Sequence, residues 1–253
     1  MKTTIYYFSA TGNSLTTAQK LAERLDNCTL VPAASVMNRA KVIDDSDAVG
    51  FVFPVYYGNM AYPMRAAIEK LVLKPEAYVF SVATYRGHAG KAAQRLDALL
   101  RTRGQKLSLA LGVPMPGNSF INPPEKDQEY LNGQKAAVDA LIAPILNRET
   151  QDYSTDELLP ITPVGYPNNF RGIAAEEDKC LGCGVCAQVC PMNNIRIVGG
   201  KAQIGDDCST CLACFHWCPA EAIWMSQQEN IARRSKYHHP DVTAEDIIGQ
   251  KER

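Results

Sequence analysis

Along the first half of the chain, short apolar runs alternate with stretches whose apolar residues recur every three or four positions. Thr3–Phe8, Thr29–Val31, Ala48–Val55, Tyr78–Ala83 and Lys106–Val113 are rich in β-branched and aromatic residues and read as strands. A helix is predicted from Asn13 to about Leu25, with Leu15, Ala18, Leu21, Ala22 and Leu25 on one face. Asn13 or Ser14 is placed to cap it. Further helices are predicted from Pro63 to about Leu73, over Lys91–Arg103 before Gly104, and over Gln128–Leu146. Apolar strands joined through helices imply a parallel sheet covered on both faces. Five such strands within residues 1–147 suit a doubly wound α/β domain of strand order 2-1-3-4-5.

The pattern then breaks. Residues 148–171 are polar and turn-rich, with Pro160, Pro163, Gly165 and Pro167, and read as a linker. A cysteine-rich unit follows over 172–227, then a charged tail over 228–253 whose charges balance. The net charge of −1 gives no reason to expect nucleic acid or an anionic membrane surface as a partner. No apolar run approaches the roughly 20 residues of a membrane span, and MKTTIYYFSATG carries no cleavable signal pattern. The expected location is the cytoplasm. In that reducing setting nine cysteines point to metal or redox chemistry. Cys28 stands apart from the other eight and reads as a small buried hydrophobe.

Residues 180–191 read CLGCGVCAQVCP and residues 208–219 read CSTCLACFHWCP. Both are C-x2-C-x2-C-x3-C-P, and the register extends to Ile195 and Ile223, so one structural unit is duplicated. Three thiolates in a tight loop can grip one iron–sulfur cubane, while the fourth cysteine, before proline, reaches the other. The expected ligand sets are Cys180, Cys183, Cys186 and Cys218 for one [4Fe–4S] cluster, and Cys190, Cys208, Cys211 and Cys214 for the other. Small residues between the ligands let backbone N–H groups approach sulfur. Structural zinc also uses C-x2-C, but rarely three evenly spaced cysteines plus C-P, twice. His216, between Cys214 and Cys218, reads as an exposed neighbour. Residues 176–226 resemble a bacterial two-cluster ferredoxin, a small α+β fold, and the resemblance implies low-potential one-electron sites.

The loop Phe8–Ser14, FSATGNS, joins the first strand to the first helix. It lacks the lysine of a P-loop and the G-x-G-x-x-G of dinucleotide sites. Hydroxyls on Ser9, Thr11 and Ser14, the Asn13 amide, Gly12 and a helix start suit a phosphate dianion. The loop resembles the FMN phosphate loop of flavodoxins, S/T-x-T-G-N-S/T. Two more loops fall where that family contacts flavin: Pro54, Val55, Tyr56, Tyr57, Gly58 and Asn59 after the third strand, and Thr84, Tyr85, Gly87 and Gly90 after the fourth. Both lie at carboxyl ends of strands, and their tyrosines can stack on isoalloxazine. His88 has the chemistry to tune or protonate a flavin there, or is a surface histidine.

The whole chain resembles a family of flavodoxin–ferredoxin fusion proteins, and the tail RSKYHHPDVTAEDII is similar to that family too. The family pattern after the fifth strand is Met-Pro-x-Asn-Tyr; here it is MPGNSF, with Ser119 in place of Tyr. The resemblance implies an electron-transfer protein using two [4Fe–4S] clusters and FMN, with a redox partner protein or small-molecule acceptor. The alternative is an FMN-dependent oxidoreductase reducing a small molecule or quinone; no acid, base or nucleophile constellation stands beside the flavin loops. Residues 1–147 carry 16 Lys and Arg against 12 Asp and Glu, and residues 172–227 carry 3 against 6. The basic face of Lys91, Arg95, Arg101, Arg103 and Lys106 is therefore either a solvated helix face or a dock for the acidic domain or an acidic partner.

Overall fold

The computed structural model describes residues 1–118, 123–156, 173–225 and 235–251. In the N-terminal unit, β1 (Thr3–Tyr7) leads into α1 (Asn13–Ala22), β2 (Cys28–Pro32) and a short α2 (Ala33–Val36). Then come β3 (Val42–Asp44), β4 (Ala48–Tyr56), β5 (Asn59–Met60), α3 (Tyr62–Ile68) and β6 (Leu71–Leu73). β7 (Tyr78–Tyr85), α4 (Ala92–Arg101), β8 (Leu109–Pro114) and α5 (Pro124–Leu146) complete it.

The main sheet runs β2-β1-β4-β7-β8, all parallel. With the short strands set aside this is the expected 2-1-3-4-5 order. Ile5, Val49, Phe51, Phe80 and Val82 of the central strands are fully buried, as strands covered on both faces must be. Two expectations are corrected. The third helix stops at Ile68, and Leu71–Leu73 turns extended to pair in parallel with β3. There Leu71 is buried and Val72 exposed, a period of two that the run LVL conceals. The α1 cap is neither Asn13 nor Ser14 but Gly12, at φ 98°.

The first residues of the expected linker lie against the sheet. Gln151 donates its backbone N–H to the Ser108 carbonyl, and buried Tyr153 receives the Ala110 N–H at 2.7 Å. This stretch lies along the edge of β8; the rest of the linker, from 157, is outside the described residues.

The cysteine-rich unit holds β9 (Ile173–Ala175), α6 (Val185–Val189), the hairpin β10 (Ile195–Val198) with β11 (Lys201–Ile204), α7 (Ala213–His216) and β12 (Ile223–Met225). β12 closes the unit by pairing with β9. The charged tail is not a solvated end over residues 235–251. It carries α8 (Ala244–Ile248), whose Thr243 and Asp246 form a reciprocal capping box. Val242, Ile247, His239 and Gln250 are buried against the N-terminal unit.

Candidate functional site

The carboxyl ends of β1, β4, β7 and β8 surround a cavity of about 430 Å³, within the range of small-molecule sites. The three expected loops meet there. Ser9, Thr11, Asn13 and Ser14 line it from the first, Pro54 to Gly58 from the second, and Thr84 and Tyr85 from the third. Gly12, Asn59, Gly87 and Gly90 are not on its wall. Gly12 lies behind it: a Cβ there would stand 2.8 Å from Val242 and 2.9 Å from His239, and its φ is left-handed. Asn59 is buried and holds the turn, accepting the Met60 N–H at 2.9 Å.

The loop's side chains do more bracing than expected. The Ser9 hydroxyl accepts the Gly12 N–H at 3.0 Å, and those of Ser14 and Thr84 meet at 2.7 Å. Asn13 donates to the Pro116 carbonyl at 2.9 Å and accepts from the Tyr237 hydroxyl at 2.6 Å. Its amide therefore orients the loop. Tyr57 and Gly58 form a two-residue turn between β4 and β5, both with left-handed φ (53° and 68°). That turn lifts the half-exposed Tyr57 ring to the mouth, and Arg95 bonds both carbonyls of the turn.

The wall also contains Arg86, Lys91 and Arg95, together with His88 and Met115 to Asn118, which the sequence marked only as neighbours of the flavin loops. No carboxylate lines it among the described residues. The segment after β8, the MPGNSF stretch, reaches the wall because it leaves the same sheet rim. Ser119 and Phe120 lie outside the described residues.

In the C-terminal unit the eight cysteines divide as the crossed pattern requires. Cys180, Cys183, Cys186 and Cys218 line one small hollow; Cys190, Cys208, Cys211 and Cys214 line the other. Burial is the largest cause raising the Cys186 thiol to about 11 and Cys211 to about 12, with neighbouring thiols of the same set adding to it. Backbone N–H groups point at sulfur: Ala202 to Cys180 at 3.4 Å, Asn194 to Cys190 at 3.4 Å, Thr210 to Cys208 at 3.3 Å, and Ala222 to Cys218 at 3.3 Å. Such donors stabilise anionic sulfur.

The duplication is visible in the backbone. Gly182 and Gly184 have φ 65° and 81°; Thr210 and Leu212, their counterparts in the second motif, have φ 53° and 64°. Asn193 and Glu221 match likewise at 52° and 50°. The loop that turns successive thiols inward needs left-handed residues at these places, whatever side chain the sequence puts there.

The two units touch at the cavity. The Cys211 carbonyl receives the Asn118 amide at 3.1 Å and the Tyr56 hydroxyl at 3.4 Å, and both residues line the cavity. His216 is buried, not exposed as the sequence suggested. Its Nδ1 accepts the Tyr237 N–H at 3.0 Å, which leaves the proton on Nε2 to donate to the Asn118 carbonyl at 2.7 Å. Trp217 donates its indole N–H to the Ala10 carbonyl at 2.8 Å. Of the basic face, Arg101 pairs with Asp97 and Asp152, Arg103 bonds the Leu71 carbonyl and Arg95 bonds the Tyr57 and Gly58 carbonyls, all within the N-terminal unit. Cys28 is half-buried, with burial raising its thiol to about 11, consistent with its reading as a hydrophobe.

The chain matches the family described as Flavodoxin domain over residues 4–114 and that described as 4Fe-4S dicluster domain over residues 173–219. A protein described as ferredoxin, from Methanothermococcus thermolithotrophicus, is 36% identical over 59 residues, covering 22% of this chain and 98% of that one. Among solved structures, a flavodoxin from the domain Archaea is 16% identical, covering 56% of this chain and 99% of that one, at a TM-score of 0.33. The rubredoxin oxygen:oxidoreductase of Desulfovibrio gigas is 13% identical at a TM-score of 0.34, covering 57% of this chain; this chain spans only 37% of its length. Among the described residues, no helix is long and apolar enough to cross a membrane.

Proposed function

Because the chain belongs to the flavodoxin–ferredoxin fusion family, and so has a redox electron-transfer role, we propose that it passes single electrons between two [4Fe–4S] clusters and a bound FMN. The Cys180, Cys183, Cys186 and Cys218 thiols hold one cluster; Cys190, Cys208, Cys211 and Cys214 hold the other. Four thiols around each hollow, met by N–H donors, fit a cubane. The Ser9–Ser14 loop at the start of α1 fits the flavin phosphate, and Tyr56, Tyr57 and Tyr85 supply aromatic surface for the ring. When bound, FMN supplies a centre able to hold one or two electrons, which single-electron clusters lack.

One observation carries this reading: the Cys211 backbone, between two ligands of one cluster, hydrogen-bonds Tyr56 and Asn118 on the cavity wall. That cluster is proximal to the flavin. The other, with Cys183 and Leu181 exposed, faces outward for exchange with a redox partner; Cys208 of the proximal set reaches the surface as well. The contact makes internal transfer unimolecular, at an effective concentration no separate carrier reaches. Stopped-flow reduction of the anaerobic, fully loaded protein tests it. Flavin reduction following cluster reduction at a rate independent of protein concentration is expected; a rate proportional to concentration refutes the internal path.

A second reading, reduction of an anionic small molecule at the flavin, is favoured by Arg86, His88, Lys91 and Arg95 on the cavity wall without a carboxylate among them. Multiple turnovers with small acceptors, at rates matching internal flavin reduction, would establish it.

A further inference from the structure

The outer side of the phosphate loop is unusual in what supplies its hydrogen bonds. Ser9, Ala10 and Thr11 present three successive carbonyls, and each is met by a donor from the far end of the chain. The Gln250 amide donates to Ser9 O at 2.8 Å and also accepts the Ser9 N–H at 2.9 Å. The Trp217 indole donates to Ala10 O at 2.8 Å. The His239 backbone N–H donates to Thr11 O at 2.7 Å. Behind Gly12 the space for a Cβ is taken by Val242 and His239. A peptide plane has one orientation: fixing its carbonyl outward turns the following N–H the opposite way; the Gly12 N–H is taken by the Ser9 hydroxyl at 3.0 Å, and those of Ala10 and Thr11 remain to meet a phosphate.

One of the three donors, Trp217, belongs to the cysteine-rich unit, and the other two sit on the C-terminal segment that is tied to it. Trp217 immediately precedes Cys218, and its ring stacks on His238 of the C-terminal segment at 4.4 Å and 17°. The segment itself is tied back by Tyr237 to His216 and by Lys251 to the Ala187 carbonyl and Asn193 side chain, which flank Cys190. The second cysteine motif and the C-terminal segment thus form the outer half of the loop.

On the FMN reading above, we propose that Trp217 is a positioning residue for the flavin phosphate, through which correct assembly of the second cysteine motif sets FMN affinity. A cluster-free chain, in which the 208–218 loop has lost its metal, then holds FMN weakly, and flavin is retained only where electrons can reach it. The coupling acts on the phosphate end alone, because Ala10 and its neighbours brace that end and not the tyrosine loops.

The test uses the full chain, anaerobic and cluster-loaded, with flavin removed and then titrated back by fluorescence quenching. Trp217→Phe keeps the ring and loses the N–H. It should retain its iron, bind FMN about five- to thirtyfold more weakly, the effect of orphaning one buried acceptor, and bind riboflavin, which lacks the phosphate, within about twofold of the unaltered chain. Gln250→Ala, which alters the brace without touching a cysteine, should do the same and decides the matter if Trp217→Phe loses iron. FMN affinity unchanged in an iron-retaining Trp217→Phe, or in Gln250→Ala where Trp217→Phe loses iron, overturns the proposal, as does equal weakening of FMN and riboflavin. An unaltered, cluster-loaded chain that binds no FMN overturns the flavin assignment itself, a distinct result.

Discussion

Tyr56 Oη lies 3.4 Å from the Cys211 carbonyl, and the Asn118 amide nitrogen bridges them at 3.2 Å and 3.1 Å. Asn118 also takes the His216 imidazole N–H on its carbonyl, so one residue ties the cavity wall to Cys211 and to the last residue of α7. Asn118→Ala removes the amide donor and should weaken the docking of the cysteine-rich unit by about 1–3 kcal/mol. Tyr56→Phe should be milder, because the ring stays and the longer bond is the one lost. The expected outcome for Asn118→Ala is slower flavin reduction in the intact chain, with a new dependence on solvent viscosity as the unit reorients. Rates equal to the unaltered chain would place the electron route elsewhere.

The crossed cysteine sets give the two proline-preceding cysteines opposite consequences. Cys218 lines the outward hollow and Cys190 the one behind Tyr56 and Asn118. Each alanine variant should fall from about eight iron and eight sulfide to about four of each. Cys218→Ala keeps the proximal cluster, so a small chemical reductant still reaches the flavin through it. Cys190→Ala keeps the outward cluster and should slow flavin reduction far more. Equal defects, or loss of the cluster set on the wrong side by electron paramagnetic resonance, would contradict the assignment.

Most of this architecture was legible in the chain, because its signals are local. The apolar runs of β1, β4 and β7 and the 28-residue repeat of cysteines each lie within one stretch of sequence. That FSATGNS stands at the mouth of the sheet was legible from its own seven residues, between an apolar run and a helical one. What was missed depends on distant partners. LVL at 71–73 reads as a helix end until β3 is available to pair with it. His216 reads as exposed until Asn118 and Tyr237 enclose it. The balanced charges of the tail give no hint that Gln250 and His239 are buried, since a polar side chain is buried only where a particular acceptor awaits it.

The matched left-handed residues of the two motifs predict an asymmetry. Thr210 holds φ 53° at a place where the first motif has Gly182. A side chain in that region costs about 1 kcal/mol relative to glycine. Thr210→Gly should therefore leave the iron content intact and raise stability by up to about 1 kcal/mol, less the bond from its hydroxyl to the Ser209 carbonyl. Gly182→Thr should do the reverse, and severely, because a Cβ there would lie 2.3 Å from the Gly200 carbonyl oxygen. Its expected result is loss of the outward cluster, read as about four iron per chain. A Gly182→Thr chain with full iron would show that the two motifs do not share one backbone.

His239 makes the C-terminal segment sensitive to acid. It is 2% exposed; its Nδ1 accepts the Asp241 N–H at 3.2 Å, and its Nε2 faces the Gln134 carbonyl oxygen at 3.1 Å, with the Gln134 amide turned to Thr16 and Thr17. Every contact suits the neutral ring. Burial pushes its pKa down to about 4, with Lys20 lowering it further and Asp241 opposing. An unfolded chain protonates the same ring near 6.5. The stabilisation is therefore complete above about pH 6.5 and is lost as pH falls toward 4, about 3 kcal/mol in all at one proton. Asp47, Asp139 and Asp152 are held below the usual carboxylate range by their own hydrogen bonds, so their losses come at lower pH. Because the segment carries the Thr11 and Gln250 contacts, FMN affinity should fall over the same interval. Urea unfolding and FMN titration of the cluster-loaded chain between pH 7 and 4.5 measure both. His239→Gln should be less stable at pH 7 and flatter across the interval. A variant that follows the same pH curve as the unaltered chain would assign the acid sensitivity to another group.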